Sequence, residues 1–358
     1  MKTGGRKNER ESENTFSSQD STLMGLAYKA LNNIFIESAL VAVIGLIVVT
    51  VRIVDRIFRT RFKHAVMDRI HDISRDTLSG VRKAQIKYVF RRKYRLSKIR
   101  IKLAGGSYWM SIPCIVTGID RKTGREKKYM GKIINDRSAL KHKYMTVLRN
   151  LGVMVERVDL KFDGHVDAKD MIEFERDCLN SLRKTSIHTP RVYGIHRLNP
   201  GDYILVMEFI EGQPLSKVEM TDPIIDQMFM TLKIMRDNGL FHGDIKLDNF
   251  LYSRGRIYVV DCLKLNKDHI TVAQDFDLIC AICALAQVVP LLTIMDHALR
   301  YYKEDEIIRA GRLMGVAMNK VDLDLSVEKV DEMRALLIED ESSHGENELT
   351  HECIRYYT

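Results

Sequence analysis

Proline is scarce in this chain, six in 358 residues, and there is a single tryptophan. So little proline excludes polyproline rods and Pro-rich linkers. The six cysteines (Cys114, Cys178, Cys262, Cys280, Cys283, Cys353) follow no repeating spacing. That argues against a disulfide framework and predicts reduced thiols in a reducing compartment. Cys280 and Cys283 form a lone CxxC within the apolar "DLICAICALAQ", with no second pair and no nearby histidine. A buried helix explains that stretch better than a metal or redox centre. The uncharged run "SALVAVIGLIVVTV", residues 38–51, stops at 14 residues and reaches 22 only if it starts at Ala30 and tolerates Glu37. A polar stretch precedes this run and no small-residue cleavage site follows it, so it does not read as a secretory signal.

What is present is an ordinary globular composition, 45% hydrophobic, enough for one large domain or two smaller ones. The net charge of +8 is concentrated. Residues 52–102 hold 17 Lys or Arg against four Asp (Asp55, Asp68, Asp72, Asp76), leaving the rest of the chain net acidic. About 20 apolar residues cross a bilayer. The run over 30–51 followed by Arg52, Arg56, Arg59, Arg61 and Lys63 therefore predicts a transmembrane or membrane-embedded helix with the bulk of the chain on the cytoplasmic side. The other reading is a hydrophobic helix packed on the domain or on a second copy. From Val54 the residues Phe58, Phe62, Val66, Ile70 and Ile73 recur at helical spacing, giving a basic amphipathic helix suited to anionic headgroups. "RKAQIKYVFRRKYRLSK", 82–98, could equally hold nucleic-acid phosphates or be a solvated face.

These patterns divide the chain into a disordered N-terminus (1–22), a hydrophobic segment reading as a transmembrane helix (23–55), a basic juxtamembrane segment (56–97), a folded domain (98–340) and a tail (341–358). Within the domain, "IRIKLAGG", "SIPCIVTGID" and "KKYMGKII" read as strands, with "RKTG" as a hairpin turn. A helix follows at 167–184, then strands in "RVYGIH" and "YILVMEFIEG". Beyond Gly212 helices dominate, interrupted by "NFLYS" and "RIYVVDC".

Five strands with one helix, a hinge-like "EFIEGQ" and a helical half resemble the protein-kinase fold over about residues 98–340. His242-Gly243-Asp244, Lys246 and Asn249 match the catalytic-loop spacing HxDxKxxN, and Asp261 stands where the metal-binding Asp of the DFG motif would lie. The fold class implied is α+β, bilobal and protein-kinase-like, with a five-stranded antiparallel N-lobe, a helical C-lobe and a preceding hydrophobic helix. The resemblance implies ATP and Mg²⁺: Asp244 as base, Lys246 steadying the phosphoryl group, and Asn249 with Asp261 on metal. Lys132 would hold the ATP phosphates and Glu175, preferred to Glu173, would pair with it. Gly105 and Gly106 in "LAGGSYWMS" would cover the phosphates, and Glu208 would lie at the nucleotide-binding hinge.

The departures from the pattern are specific. There is no GxGxxG, Gly243 replaces the arginine of HRD, Cys262 and Leu263 follow Asp261, and no APE motif appears. Asp275 or Asp277 is expected to anchor the catalytic loop. These features look most like atypical kinases: lipopolysaccharide core sugar kinases, RIO-type kinases and, more distantly, aminoglycoside and choline phosphotransferases. Lys246 is typical of serine/threonine kinases, so the acceptor stays open between a protein hydroxyl and a sugar or lipid hydroxyl. Two other classes stay open beside an enzyme: a membrane pseudokinase scaffold and a basic nucleic-acid-associated protein.

Overall fold

A computed structural model describes residues 78–104, 111–265, 267–318, 320, 323 and 325–337. The apolar run over 30–51, the basic helix expected from Val54, Gly105 and Gly106, and the tail lie outside the described residues. Among those described, no helix is long and apolar enough to cross a membrane.

Helix α1 (Gly80–Lys93) precedes strands β1 (Leu96–Leu103), β2 (Ile112–Asp120) and β3 (Glu126–Asn135). Two helices follow, α2 (Asp136–Glu156) and α3 (Ala168–Arg183), then β4 (Val192–Asn199) and β5 (Asp202–Glu208). The strands form one antiparallel sheet in the order β1-β2-β3-β5-β4. Strand β5 lies inside the sheet and is apolar on both faces. Ile204 and Val206 join Ile112, Cys114, Val116 and Ile133 in a core that includes Ile86 and Phe90 of α1. Leu205 and Met207 join Ile134, Ile172 and Leu179 in a second core beneath α3. Side chains alternate across a strand, so Lys132, lying between Gly131 and Ile133 and sharing the face of Ile134, points toward α3.

The described part of the basic segment is thus α1, anchored by Ile86, Val89 and Phe90 with Arg91, Arg92 and Lys93 in its last turn, and strand β1, which carries Lys98, Arg100 and Lys102. The basic last turn also complements the negative end of the helix. One expectation is corrected here: the small lobe carries two helices between β3 and β4, not one. Helix α2 starts from a capping box in which Asn135 accepts from Ser138 N–H at 2.8 Å, and it ends at Arg157 in the left-handed region.

The second lobe contains β6 (Gln213–Pro214), α4 (Asp222–Asp237), β7 (Phe250–Ser253), β8 (Arg256–Val259), α5 (Ile270–Leu285), α6 (Leu291–Leu299), α7 (Glu304–Gly311), α8 (Met314–Met318) and α9 (Val327–Leu337). Helix α5 is apolar nearly all round and is buried accordingly, Cys280 and Cys283 included. Both thiols are free, and burial pushes Cys280 up to about 12, so the CxxC is core packing. Strands β7 and β8 are joined by Arg254 and Gly255, both at positive φ, the geometry a two-residue hairpin turn requires.

A second expectation is also corrected. The thiols are not all reduced: Cys178 of α3 and Cys262 form a disulfide. They stand 84 residues apart in sequence, and only the packing of α3 against the segment after β8 brings them together.

Candidate active site

The β7–β8 hairpin explains how two polar groups twelve residues apart reach one place. Asn249 immediately precedes β7 and Asp261 lies two residues beyond β8, so antiparallel pairing returns both to the same end; Val260 N–H donates to Asn249 C=O at 2.9 Å. The hairpin's apolar residues Phe250, Ile257 and Val259 are buried in the large-lobe core, which fixes that end.

The loop over 242–249 is anchored from below. Asp277, in the buried helix α5, accepts from His242 N–H at 2.5 Å and from Gly243 N–H at 2.8 Å. Of the two expected candidates Asp277 is therefore the anchor, whereas Asp275 pairs with Arg236 and Arg309. Burial raises the Asp277 carboxyl to about 7, although both N–H donors oppose the rise. Gly243 has φ +78°, and a Cβ there would sit 2.7 Å from Leu263 C=O. An arginine at this position would meet both obstacles. His242 is fully buried, lies against Phe250 at 5.7 Å between ring centres, and is kept neutral by burial, with its pKa lowered to about 4.

Lys132 meets its expected partner Glu175 and contacts Asp261 as well. Its Nζ lies 2.9 Å from Glu175 Oε1 and 2.9 Å from Asp261 Oδ1. One ammonium thus serves two carboxylates contributed by two other elements. Burial disfavours its charge, but Asp261 and Glu175 outweigh that and hold it protonated. Glu175, buried on α3, is lifted by burial to about 7; Lys132 opposes the rise and the nearby Asp261 charge adds to it. Asp261 goes the other way. Its protein surroundings disfavour the charge, yet Lys132 keeps its carboxyl below the usual range. Its side chain remains 44% exposed, and it sits at φ 64° with Oδ1 accepting from Cys262 N–H at 3.0 Å.

Beside this cluster lies the second one. Asn249 Nδ2 donates to Asp244 C=O at 2.8 Å and to Asp244 Oδ2 at 3.1 Å, which directs the amide oxygen, the atom of this side chain that could take a cation, away from that contact. Lys246 Nζ is 3.6 Å from Asp244 Oδ2. Lys320 Nζ, from beyond α8, is 3.0 Å from Asp244 Oδ1 and donates to Ile245 C=O at 2.8 Å. Burial opposes ionisation of Asp244, but Lys320, Lys246 and Arg149 together hold its carboxyl well below the ordinary range.

Lys320 and Arg149 were not candidates in the sequence. Neither stands in a motif: Lys320 follows Asp244 by 76 residues, and Arg149 rides on the unexpected helix α2. Glu208 is apart from both clusters. It ends β5, and its carboxylate accepts from Arg191 N–H at 3.1 Å.

The oxygen donors of Asn249 and Asp261, one of them open to solvent, suit a hard divalent cation, and Lys132 suits a phosphate. Among the described residues there is no cluster of three or more His, Cys, Asp or Glu that could close around a metal by itself.

Residues 136–273 match the RIO domain, an atypical protein-kinase-like family. The KEOPS complex subunit Bud32 of Pyrococcus abyssi is 25% identical over 130 residues, which cover 35% of this chain and 56% of that protein. Serine/threonine-protein kinase D of Synechocystis is 26% identical over 111 residues, 30% of this chain and 19% of that protein. The chain thus spans about half or less of the curated relatives it matches. Among solved structures, the kinase domain of Mycobacterium tuberculosis PknI aligns over 67% of this chain and 96% of its own, at 14% identity and a TM-score of 0.36.

Proposed function

We propose that this protein-kinase-like chain transfers the γ-phosphoryl group of ATP to a hydroxyl acceptor. The observation that carries the reading is the meeting of Lys132, Glu175 and Asp261 within 2.9 Å contacts, with Asp244 and Asn249 joined beside them. Phosphoryl transfer asks a protein mainly for positioning and for neutralising charge on the phosphates. Lys132 would bind the α- and β-phosphates, with Glu175 holding its ammonium in place. Asn249 and Asp261 would hold Mg²⁺, which when bound supplies positive charge against the phosphate oxygens. Asp244, ionised and acceptor-only, would orient the attacking hydroxyl and receive its proton. Lys246 would steady the transferred group. Lys320 balances the Asp244 charge, so that a buried carboxylate stays ionised without a substrate.

The acceptor we favour is a protein serine or threonine hydroxyl. Lys246 supports this, as does the similarity to a relative called a serine/threonine-protein kinase. A sugar or lipid hydroxyl is the other acceptor of the same chemistry. We also propose attachment at a cytoplasmic membrane face through residues 30–51 and the basic segment 52–102, on the sequence pattern alone. Radiolabel from γ-labelled ATP, followed into protein, sugar and lipid fractions with wild type and Asp244→Asn, tests the reading. Incorporation into protein that is lost in Asp244→Asn is expected. Equal background-level transfer by both proteins would replace catalysis with a scaffolding role. Pelleting with membranes that resists carbonate is expected for the apolar segment, and complete release by salt would reject an embedded helix.

A further inference from the structure

We propose that Cys178 and Cys262 form a thiol–disulfide site that covalently ties helix α3 to the segment carrying Asp261, holding the Lys132 cluster assembled when oxidised and releasing it when reduced. Only its consequence for nucleotide binding rests on the function proposed above.

The placement carries the inference. Cys178 is three residues, one helical turn, beyond Glu175, so both project from one side of α3. Cys262 directly follows Asp261, and its N–H donates to the Asp261 carboxylate at 3.0 Å. The disulfide, with Cα atoms 6.7 Å apart, therefore runs alongside the Glu175–Lys132–Asp261 contact and links the same two elements. The non-covalent link it parallels is electrostatically incomplete. Glu175 and Asp261 are two carboxylates served by one ammonium, so they repel each other at the point where the elements must meet. Helix α3 is joined to its neighbours by irregular segments on both sides (157–167 and 184–191), so its seat against the Asp261 segment rests on side-chain packing and on the Lys132 and Lys264–Asp170 contacts. A covalent bond one turn from Glu175 and one residue from Asp261 adds a tie that does not depend on charge.

Among the described cysteines, access favours this pair. Cys178 and Cys262 are both only partly buried. Cys114, Cys280 and Cys283 are wholly buried. The oxidant class that fits is a low-molecular-weight disulfide. One protein thiolate attacks its S–S bond, forming a mixed disulfide and expelling one small thiolate. The second protein thiolate then attacks the protein sulfur of that mixed disulfide and expels the other. Two protein thiols are oxidised, one reagent disulfide is reduced to two thiols, and the two protons pass to the leaving thiolates.

The test uses the full chain equilibrated in glutathione buffers from fully reduced to fully oxidised. Three readouts follow: alkylation and peptide mapping, amide hydrogen exchange over 168–183 and 257–265, and Mg·ATP binding. We expect a single 178–262 crosslink, slower exchange in both segments of the oxidised protein, and nucleotide binding at least about fivefold tighter than in the reduced protein. Cys178→Ser and Cys262→Ser should each behave as the reduced protein in every buffer. The proposal is overturned if both thiols stay alkylatable in the most oxidising buffer, or if the crosslink forms and exchange in α3 is unchanged. Slower exchange without nucleotide binding in either state would support the tie and reject the phosphotransferase reading instead.

Discussion

Adding one methyl group at Gly243 should destabilise the protein more than adding it at Gly255, although both residues have φ +78°. The left-handed conformation costs an L-residue about 1–2 kcal/mol. Restricting the unfolded chain returns about 0.4–1 kcal/mol of that. At Gly255, on the hairpin turn, a Cβ meets nothing within 4 Å, so the balance of these two contributions is the whole effect. At Gly243 the Cβ would lie 2.7 Å from Leu263 O, 3.2 Å from Leu265 Cγ and 3.3 Å from Leu263 Cβ. The nearest atom is backbone and cannot rotate aside. Leu263 N–H is also committed to His242 C=O at 2.9 Å, so the segment after Asp261 must move as a unit. Forcing extra volume into a packed site costs about 1–3 kcal/mol, and Gly243→Ala should exceed Gly255→Ala by that amount. Urea unfolding of the two variants measures it as a difference in midpoint at constant slope. Equal losses, within about 0.5 kcal/mol, would show that the close approach of Leu263 to the catalytic loop is not present in solution.

Other predictions concern charge. Lys320→Met removes the cation 3.0 Å from the buried Asp244 carboxylate; the Asp244 pKa should rise, moving the acid limb of the kcat–pH profile upward, and an unmoved limb would exclude Lys320 as its partner. Asp277, raised to about 7 in the folded protein from an unfolded value near 3.8, contributes stability that is full below about pH 4 and lost as pH rises through about 7. Asp277→Asn should lack that part of the slope in urea midpoints measured across pH 4 to 8, and an identical slope would reject the assignment. Glu175 is likewise raised to about 7 and must ionise to hold Lys132 on a nucleotide. Mg·ATP affinity should therefore fall as pH drops below about 7, and Glu175→Gln should show weaker, pH-flat binding. Neutralising Arg91, Arg92 and Lys93 together should leave ATP turnover unchanged, since they lie in the last turn of α1. Loss of salt-sensitive RNA or DNA retention in that variant would show that this helix holds nucleic-acid phosphates, and no retention by wild type at low salt would end that reading.

The parts of the site that could be read from sequence are those in which chemistry imposes a short, local spacing. Asp244, Lys246 and Asn249 lie within six residues, and Asp261 follows after a hairpin whose apolar alternation is itself a signal. Lys132 and Glu175 were legible because each sits on an element of distinct periodicity, a strand and an amphipathic helix. The five-strand sheet followed from alternation and turn residues for the same reason. What escaped is set by tertiary contact. Helix α2 has a weak apolar pattern in a polar, basic stretch, and its burial comes from packing after the chain has folded. Lys320 is one lysine among many until the C-terminal region brings it onto Asp244. Cys178 and Cys262 carry no framework spacing, so their bond could not be anticipated from cysteine arithmetic. The expectation at Glu208 came from the hinge pattern around it; its carboxylate accepts from Arg191 N–H at the end of β5.

The central claim is that Lys132, Asp261 and Asn249 together make one binding site for a metal-chelated nucleoside triphosphate. Calorimetric titration of ATP into wild type, Lys132→Met, Asn249→Ala and Asp261→Asn, each with and without Mg²⁺, tests it most directly. The account predicts saturable binding by wild type that strengthens with Mg²⁺, weaker binding by Lys132→Met, and loss of the Mg²⁺ enhancement in Asn249→Ala and Asp261→Asn. Binding that ignores Mg²⁺ and all three substitutions, or no binding by folded wild type, would contradict it.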